Sequence, residues 1–273
     1  MSSIGPTRLR EALINSRNLV SIRVLRRIGV EAGLEHLQRF GLDPERLPGN
    51  LSLALGTASI SPMELARAYT VFANGGYLVQ PYLIDRVEND LGEILFQPVR
   101  LRVCTDGCPR GEAVAEAGAV TAEPVLRPVL ADVIPLPEDT ESVLPAPRSL
   151  PADNAWLMTS MLRDVIRHGT GRGALSLGRD DLAGKTGTTN DQIDAWFSGF
   201  NHDLVATAWV GRDDNRALGR AETGARAALP LWRAFMGEAL EGVPERSPPR
   251  PEGLITAQID PESGLRSDGA RMQ

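Results

Sequence analysis

The first forty residues place apolar side chains at the spacing of α-helices, with one short polar interruption. The apolar positions recur every three or four residues on both sides of that interruption, at Leu9, Leu13, Leu19, Ile22, Val24, Leu25 and Ile28. The interruption is Asn15-Ser16-Arg17-Asn18, whose residue types favour helix ends and turns. Gly29 is expected to end the second helix, and a further short helix is predicted to about Phe40.

The next two elements have strong local signals. Ser61-Pro62-Met63-Glu64 combines a capping box with proline at the first helical position, and it predicts a helix to Ala73. From Tyr82 the apolar period shortens towards two, and residues 83–96, with a turn at Asn89-Asp90-Leu91-Gly92, predict a β-hairpin. Residues 97–150 are rich in proline and acidic side chains, which predicts an irregular excursion.

The later part of the chain predicts a helix followed by a sheet. An apolar stripe extends from Asp153 to His168, and Gly169 is expected to end that helix. Three strands joined by short connections should pair antiparallel: residues 183–188, 195–200 and 204–210. A helix over about 225–240 and one short strand at 254–259 are predicted after them.

These elements predict an α+β fold in which helices flank a central antiparallel sheet. We divide the chain into a helical part over 1–80, a hairpin with a proline-rich insertion over 81–150, a sheet part with its C-terminal helix over 151–242, and a tail over 243–273. Of the 273 residues, 42% are hydrophobic, which is enough for a packed core.

Charge and hydropathy exclude several classes of function. The net charge of -6 argues against a general nucleic-acid-binding surface. No apolar run approaches the roughly 20 residues of a membrane-spanning helix, and the first ten residues contain no apolar signal segment, so we expect no membrane anchor in this chain. Among the 29 basic residues only Lys185 is a lysine, so any chemistry that needs a lysine amine has one candidate.

The residues that commonly bind metals do not predict a metal site. Cys104 and Cys108 form one close pair, which cannot supply the four ligands of a structural zinc site. A local disulfide and two free thiols remain equally open for them. His36, His168 and His202 do not have metal-binding spacing, so we assign them structural roles and predict no cofactor.

Two short motifs point instead to acyl transfer. Gly184-Lys185-Thr186 fails as the end of a phosphate-binding loop because the required earlier glycine is Arg179. Serine acyl-transfer enzymes of one large group carry Ser-x-x-Lys, then Ser-x-Asn, then Lys-Thr-Gly. Ser16-Arg17-Asn18 matches the second of these motifs, and Lys185-Thr186-Gly187 matches the third, in the right order.

Each residue type suits a step of that chemistry. A lysine amine supplies positive potential for a peptide carboxylate and a developing oxyanion. Threonine hydroxyls can bind the carboxylate, and a glycine lets a peptide backbone add to the edge of the sheet. The Ser16 hydroxyl can pass a proton to a leaving amine, and the Asn18 amide can hold the peptide backbone. By pattern alone, Ser16 is equally well explained as a helix cap, whereas the explanation of Lys185 as a surface lysine on a strand is the weaker one for that residue.

Longer stretches around these motifs resemble the class A penicillin-binding proteins. The resemblance covers most of the chain outside roughly 97–145 and is carried by five segments: residues 5–23, 158–173, 182–200, 207–214 and 229–232. It implies a β-lactamase/transpeptidase-like fold and D,D-transpeptidation of peptidoglycan stem peptides through an acyl-serine. It also implies that β-lactams bind the complete domain, and that the full-length protein lies in the periplasm at the inner membrane.

The resemblance also assigns roles to individual residues. It implies that Ser16 relays a proton and that Lys185 acts electrostatically, as the catalytic pair. It implies substrate-binding roles for Asn18 and Gly187, which contact the peptide backbone, and for Thr186 and Thr188, which bind the carboxylate. The backbone N–H of Thr188 would contribute to the oxyanion hole.

One motif of the family is missing. Leu182 stands three positions before the only lysine, so the chain has no Ser-x-x-Lys and hence no nucleophile of its own. We therefore expect a fragment whose fold is incomplete on its N-terminal side and lacks the glycosyltransferase domain, inactive alone and prone to aggregate at exposed strand edges. A β-lactamase or carboxypeptidase relative and a non-catalytic module that binds a peptide or a partner protein are the alternatives.

Overall fold

The computed structural model describes residues 7–103, 143–260 and 263–266. The expectations for Cys104, Cys108 and most of the segment 97–150 therefore lie outside the described residues. Within the described ranges, no helix combines the length and the hydropathy needed to cross a lipid bilayer.

Helices form the first part of the described chain, as predicted. α1 spans Leu9–Ile14, α2 spans Asn18–Ile28 and α3 spans Val30–Gln38, with the predicted polar break between α1 and α2. Two short 3₁₀ turns, Pro44–Arg46 and Leu51–Leu55, lead to α4 at Pro62–Ala73.

The predicted capping box of α4 is confirmed. The Glu64 N–H donates to Ser61 Oγ at 3.2 Å, and the Ser61 N–H donates to Glu64 Oε2 at 2.7 Å. These reciprocal bonds satisfy backbone groups that the first helical turn leaves without partners.

Short strands follow α4. β1 at Val87–Glu88 and β2 at Ile94–Phe96 form the predicted antiparallel hairpin. The Asn89 side chain closes its turn by accepting hydrogen bonds from the backbone N–H groups of Leu91 and Glu93. β3 at Arg100–Arg102 pairs in parallel with β4 at Val143–Pro145, a long-range pairing that the irregular composition of the segment did not indicate.

The central sheet has the predicted strands and directions. β5 spans Ala183–Thr188, β6 spans Ala195–Phe200 and β7 spans Val205–Val210, in the antiparallel order β5-β6-β7. In the β5–β6 register, Lys185 is opposite Ser198 and Gly187 is opposite Trp196. Among the described residues β5 lies at one edge of this sheet, which leaves its outer backbone groups open to an added strand.

Helices cover both faces of the sheet, which confirms the α+β prediction. α6 at Leu229–Ala239 packs Trp232 and Met236 against Phe197 on one face. α5 at Ala152–His168 and α4 cover the other face, where Leu162 packs with Ala183 and Phe200. The glycine at position 199 makes room for the Trp232 indole, since a Cβ there would lie 2.7 Å from Trp232 Cζ2.

Two predictions for the C-terminal part need correction. The helix expected over 225–240 is α6 preceded by a π-helical turn, Gly224–Ala228. The strand predicted at 254–259 is wrong: in the described tail only Ile259 makes a β-bridge, to Arg266. Ile255 is 80% exposed, and a segment with neither a strand partner nor a buried face gains little from the extended conformation.

Candidate functional site

The junction between α1 and α2 holds Ser16 in an unusual backbone conformation. Its φ angle is 51°, in the left-handed region that residues other than glycine seldom adopt. Arg17 is the N-cap residue of α2, and no side chain in the described part of the chain caps that helix. The structure therefore does not support the helix-cap interpretation of Ser16, and the exposed hydroxyl has a different partner.

That partner is Lys185 on β5. Lys185 Nζ donates to Ser16 Oγ at 2.9 Å across 169 positions of sequence. The same amine donates to the Thr186 carbonyl oxygen at 2.8 Å and lies 3.5 Å from Thr186 Oγ1. The fold thus brings the two candidate catalytic residues together at the edge of the sheet.

The Lys185 amine lies in a partly buried position with oxygen neighbours that carry no formal charge. No carboxylate of the described residues lies within 4 Å of it. Burial lowers the pKa of Lys185 from its ordinary 10.5 to about 8. Near neutral pH the group is mostly cationic, and its positive charge remains available for a ligand that carries a carboxylate.

The two threonines of the β5 motif have partners of their own. Thr186 Oγ1 lies 2.7 Å from Thr170 Oγ1, and Thr188 Oγ1 accepts a hydrogen bond from the Gly224 N–H at 3.0 Å. Side chains two positions apart on a strand project to the same face, so both hydroxyls lie on one side of β5.

Gly187 and Asn18 complete the set of predicted site residues. Gly187 lies between the two threonines, where a Cβ would be 3.0 Å from the Cβ of Trp196. Asn18 is the exposed first residue of α2, two positions after Ser16. Its amide forms no hydrogen bond with any other described residue, so it is available to a ligand.

Sequence reasoning missed two residues that contact these groups. Thr170 follows the glycine that ends α5, and Gly224 begins the π-helical turn. A Cβ on Gly224 would lie 2.3 Å from the Trp196 carbonyl oxygen and 2.4 Å from that of Gly187, so only glycine fits against the β5–β6 pair. The available signal was weak: a threonine between two glycines, and a glycine at the expected start of a helix.

The histidines have the structural surroundings predicted for them. His36 contacts the Phe40 ring edge-to-face, with ring centroids 5.5 Å apart. His168 is the last residue of α5, and His202 lies in the turn between β6 and β7. Within the ranges that the structure describes, no three His, Cys, Asp or Glu side chains gather in a way that could hold a metal ion.

Comparisons with known proteins agree with this geometry. The profile of the penicillin binding protein transpeptidase domain matches residues 2–211. Penicillin-binding protein 1A of Pseudomonas aeruginosa is 46% identical over 267 residues, which are 96% of this chain and 32% of that protein. This chain therefore spans about a third of the length of that curated relative.

Solved structures give the same result for the fold. The 2.6 Å crystal structure of penicillin-binding protein 1A from Haemophilus influenzae matches with a TM-score of 0.80 and 35% identity, over 98% of this chain and 39% of that one. PonA1 from Mycobacterium tuberculosis, in complex with penicillin V, matches with a TM-score of 0.63 over 91% of this chain and 60% of that one; at 19% identity it is evidence for the fold alone. The predicted β-lactamase/transpeptidase-like architecture is thereby confirmed, and the chain belongs to the penicillin-binding protein transpeptidase domain family.

Proposed function

We propose that this chain is part of a peptidoglycan D,D-transpeptidase that cross-links stem peptides through an acyl-serine, with the nucleophile outside this chain. The observation that carries the proposal is the 2.9 Å hydrogen bond from Lys185 Nζ to Ser16 Oγ. It joins the second and third motifs of serine acyl transfer at the open edge of a sheet.

The proposed reaction breaks one amide bond and forms another. The nucleophilic serine attacks the carbonyl carbon of the penultimate D-alanine, the bond to the terminal D-alanine breaks, and that amine leaves with a proton. The Ser16 hydroxyl would relay this proton, and its hydrogen bond from Lys185 supports that role because the bond orients the hydroxyl. The amine of a second stem peptide then displaces the serine, and the cross-link forms.

The substrate would bind along β5. Gly187 would let a peptide backbone approach the edge strand, and Asn18, two positions after Ser16, would hold that backbone. The hydroxyls of Thr186 and Thr188 and the charge of Lys185 would bind the terminal carboxylate. The Thr188 backbone N–H would stabilise the oxyanion.

Binding of β-lactams and location in the cell belong to the same proposal. A β-lactam carries a carboxylate and a reactive amide carbonyl, so it would bind as the stem peptide does. The family to which the chain belongs, the penicillin binding protein transpeptidase domain family, supports this ligand class. We infer that the full-length protein works in the periplasm at the inner membrane, where the predicted substrate is.

The test uses a chimera in which this chain replaces the matching part of the P. aeruginosa protein, which supplies the upstream residues. We expect fluorescent penicillin to form a serine-linked adduct with the chimera and none with this chain alone. Ser16→Ala in the chimera should slow acylation about a hundredfold. Ser176→Ala is the matched control, because the Ser176 hydroxyl donates to the Gly173 carbonyl oxygen and accepts from Arg233, and neither partner is a predicted site residue.

Two results would contradict the proposal. A serine-linked adduct on this chain alone would mean that the nucleophile has been misplaced. A folded chimera that does not react with penicillin would favour the non-catalytic module that binds a peptide or a partner protein.

A further inference from the structure

Thr170 touches both halves of the candidate site with different groups, although it belongs to neither motif. Its Oγ1 atom lies 2.7 Å from Thr186 Oγ1, on the Lys185 side. Its backbone N–H donates to the Ile14 carbonyl oxygen at 3.3 Å, two residues before Ser16. A single residue after α5 thus connects the α1–α2 junction to β5.

The turn that carries Thr170 is packed tightly in place. A Cβ on Gly169 would lie 2.3 Å from the Ile14 carbonyl oxygen and 2.9 Å from that of Val165. The Gly171 N–H donates to the same Val165 oxygen at 3.0 Å. The backbone on both sides of Thr170 is therefore fixed, and its hydroxyl has a defined position relative to β5.

The hydroxyl of Thr188 illustrates how a donor to a threonine oxygen leaves the hydroxyl proton free for a ligand. Its oxygen accepts the Gly224 N–H, and a backbone N–H cannot accept in return. The Thr188 proton therefore remains free to be donated to a ligand. Thr186 projects to the same face of β5, and its oxygen is within hydrogen-bond distance of the Thr170 hydroxyl.

We propose that Thr170 is a positioning residue: it donates its hydroxyl proton to Thr186 Oγ1, so that Thr186 and Thr188 both present their protons to the carboxylate of a bound peptide. This inference rests on the proposed function. Lys185 Nζ is 3.5 Å from the same Thr186 oxygen, at the outer limit of hydrogen-bond distance, so the 2.7 Å contact with Thr170 is the stronger of the two. A carboxylate accepts hydrogen bonds only, so a pair of hydroxyl donors suits it.

The only lysine of the chain provides a direct probe. The full chain is produced with lysine labelled with ¹³C at Cε, and the Lys185 resonance is followed during titration with N-acetyl-D-alanine. N-acetyl-D-alaninamide, which has no carboxylate, is the control ligand. Thr170→Val removes the hydroxyl but keeps the backbone N–H that bonds to Ile14, and Thr170→Ser keeps both.

We expect saturable shifts with the acid and none with the amide. Thr170→Val should weaken binding of the acid about tenfold, as expected when a charge-assisted hydrogen bond is lost, and Thr170→Ser should restore it. Thr170→Ala is the second variant if the valine variant does not fold, and the same tenfold loss is expected of it.

The outcomes separate the two proposals. Wild-type affinity in both the valine and alanine variants would overturn the role of Thr170, as would a serine variant as weak as the valine variant. An equal response of the wild-type chain to acid and amide, or no response to the acid, would overturn the carboxylate site of the proposed function itself.

Discussion

Lys185 Nζ and Ser16 Oγ form a hydrogen bond across 169 positions of sequence, and the described residues provide no carboxylate to neutralise the amine. The contact therefore joins a strained helix junction to the edge of the sheet through a cation that has no ion-pair partner within the described ranges. The burial of Lys185 and the backbone conformation of Ser16 should each have a measurable effect on the stability of the protein.

The ionisation of Lys185 should link stability to pH. Its pKa in the folded chain is about 8, below the ordinary 10.5, so the unfolded chain binds more protons between these two values. The free energy of unfolding should therefore rise with pH from about 8 to about 10.5, as the burial penalty is relieved. Urea unfolding of the wild type and of Lys185→Met across this range isolates the effect, since other titrating groups are common to both. A difference that does not change with pH would contradict the lowered pKa.

The backbone conformation of Ser16 should lower the free energy of unfolding of the chain. With a φ angle of 51°, glycine is favoured over any residue with a Cβ, so Ser16→Gly should be more stable than Ser16→Ala by about 1 kcal/mol. Both variants lose the hydrogen bond to Lys185, which makes them a matched pair. Denaturant unfolding measures the difference, and equal stability of the two would argue against backbone strain at this position.

Gly224 should not tolerate any side chain. Gly224→Ala would place a Cβ 2.3 Å from the Trp196 carbonyl oxygen, so the π-helical turn must move away from β5 at a cost of about 2–4 kcal/mol. The control is Gly49→Ala, where a Cβ meets nothing within 4 Å, and its stability should change by less than about 1 kcal/mol. Similar unfolding free energies for the two variants would show that the turn adapts without cost.

A buried ion pair should stabilise the end of the sheet that is far from the site. Arg179 donates to both carboxylate oxygens of Asp181, at 2.9 and 2.7 Å, and Asn201 adds a bond of 3.3 Å. Burial opposes ionisation of Asp181, but the Arg179 and Asn201 hydrogen bonds and the Arg179 charge outweigh it and lower its pKa. This contribution to stability is present above the ordinary pKa of an aspartate and is lost as pH falls through the lowered value.

Replacement of Asp181 provides the test. Asp181→Asn leaves the Arg179 guanidinium largely buried without its counter-ion, which should cost about 3–5 kcal/mol at neutral pH. Glu11→Gln, which weakens an exposed pair with Arg8, should cost about 1 kcal/mol or less. If the two variants lost similar free energies of unfolding, the buried ion pair would contribute no more to stability than the exposed one.

Local signals explain why much of the fold was predictable. The Ser61 capping box, the polar break before Asn18 and the strand that carries Lys185 depend on residues that are neighbours in sequence, and each was confirmed. The β3–β4 pairing and the tight fit of Gly224 depend on partners far away along the chain, which no local pattern encodes. The wrong prediction of a strand at 254–259 has the opposite cause. A local preference for the extended conformation does not form a sheet when no neighbouring strand pairs with the segment.

The site divides in the same way. The proximity of Ser16 and Lys185 was predictable because the order of the motifs indicates it, even though the spacing of 169 residues does not. Thr170 was missed because its role consists of two contacts, with Ile14 and Thr186, that exist only after α1, α5 and β5 have packed together.

The open margin of β5 has one more consequence, which concerns self-association. No strand of the described residues pairs with the outer edge of β5, and an unpaired strand edge can pair with any extended chain, including the same strand of another molecule. Two copies that paired along this margin would each bring a Lys185 ammonium into a poorly hydrated seam, and the like charges would repel. A peptide that ends in a carboxylate carries the opposite charge. The Lys185 ammonium therefore favours binding of such a peptide along β5 and disfavours pairing of two copies of the protein along the same strand.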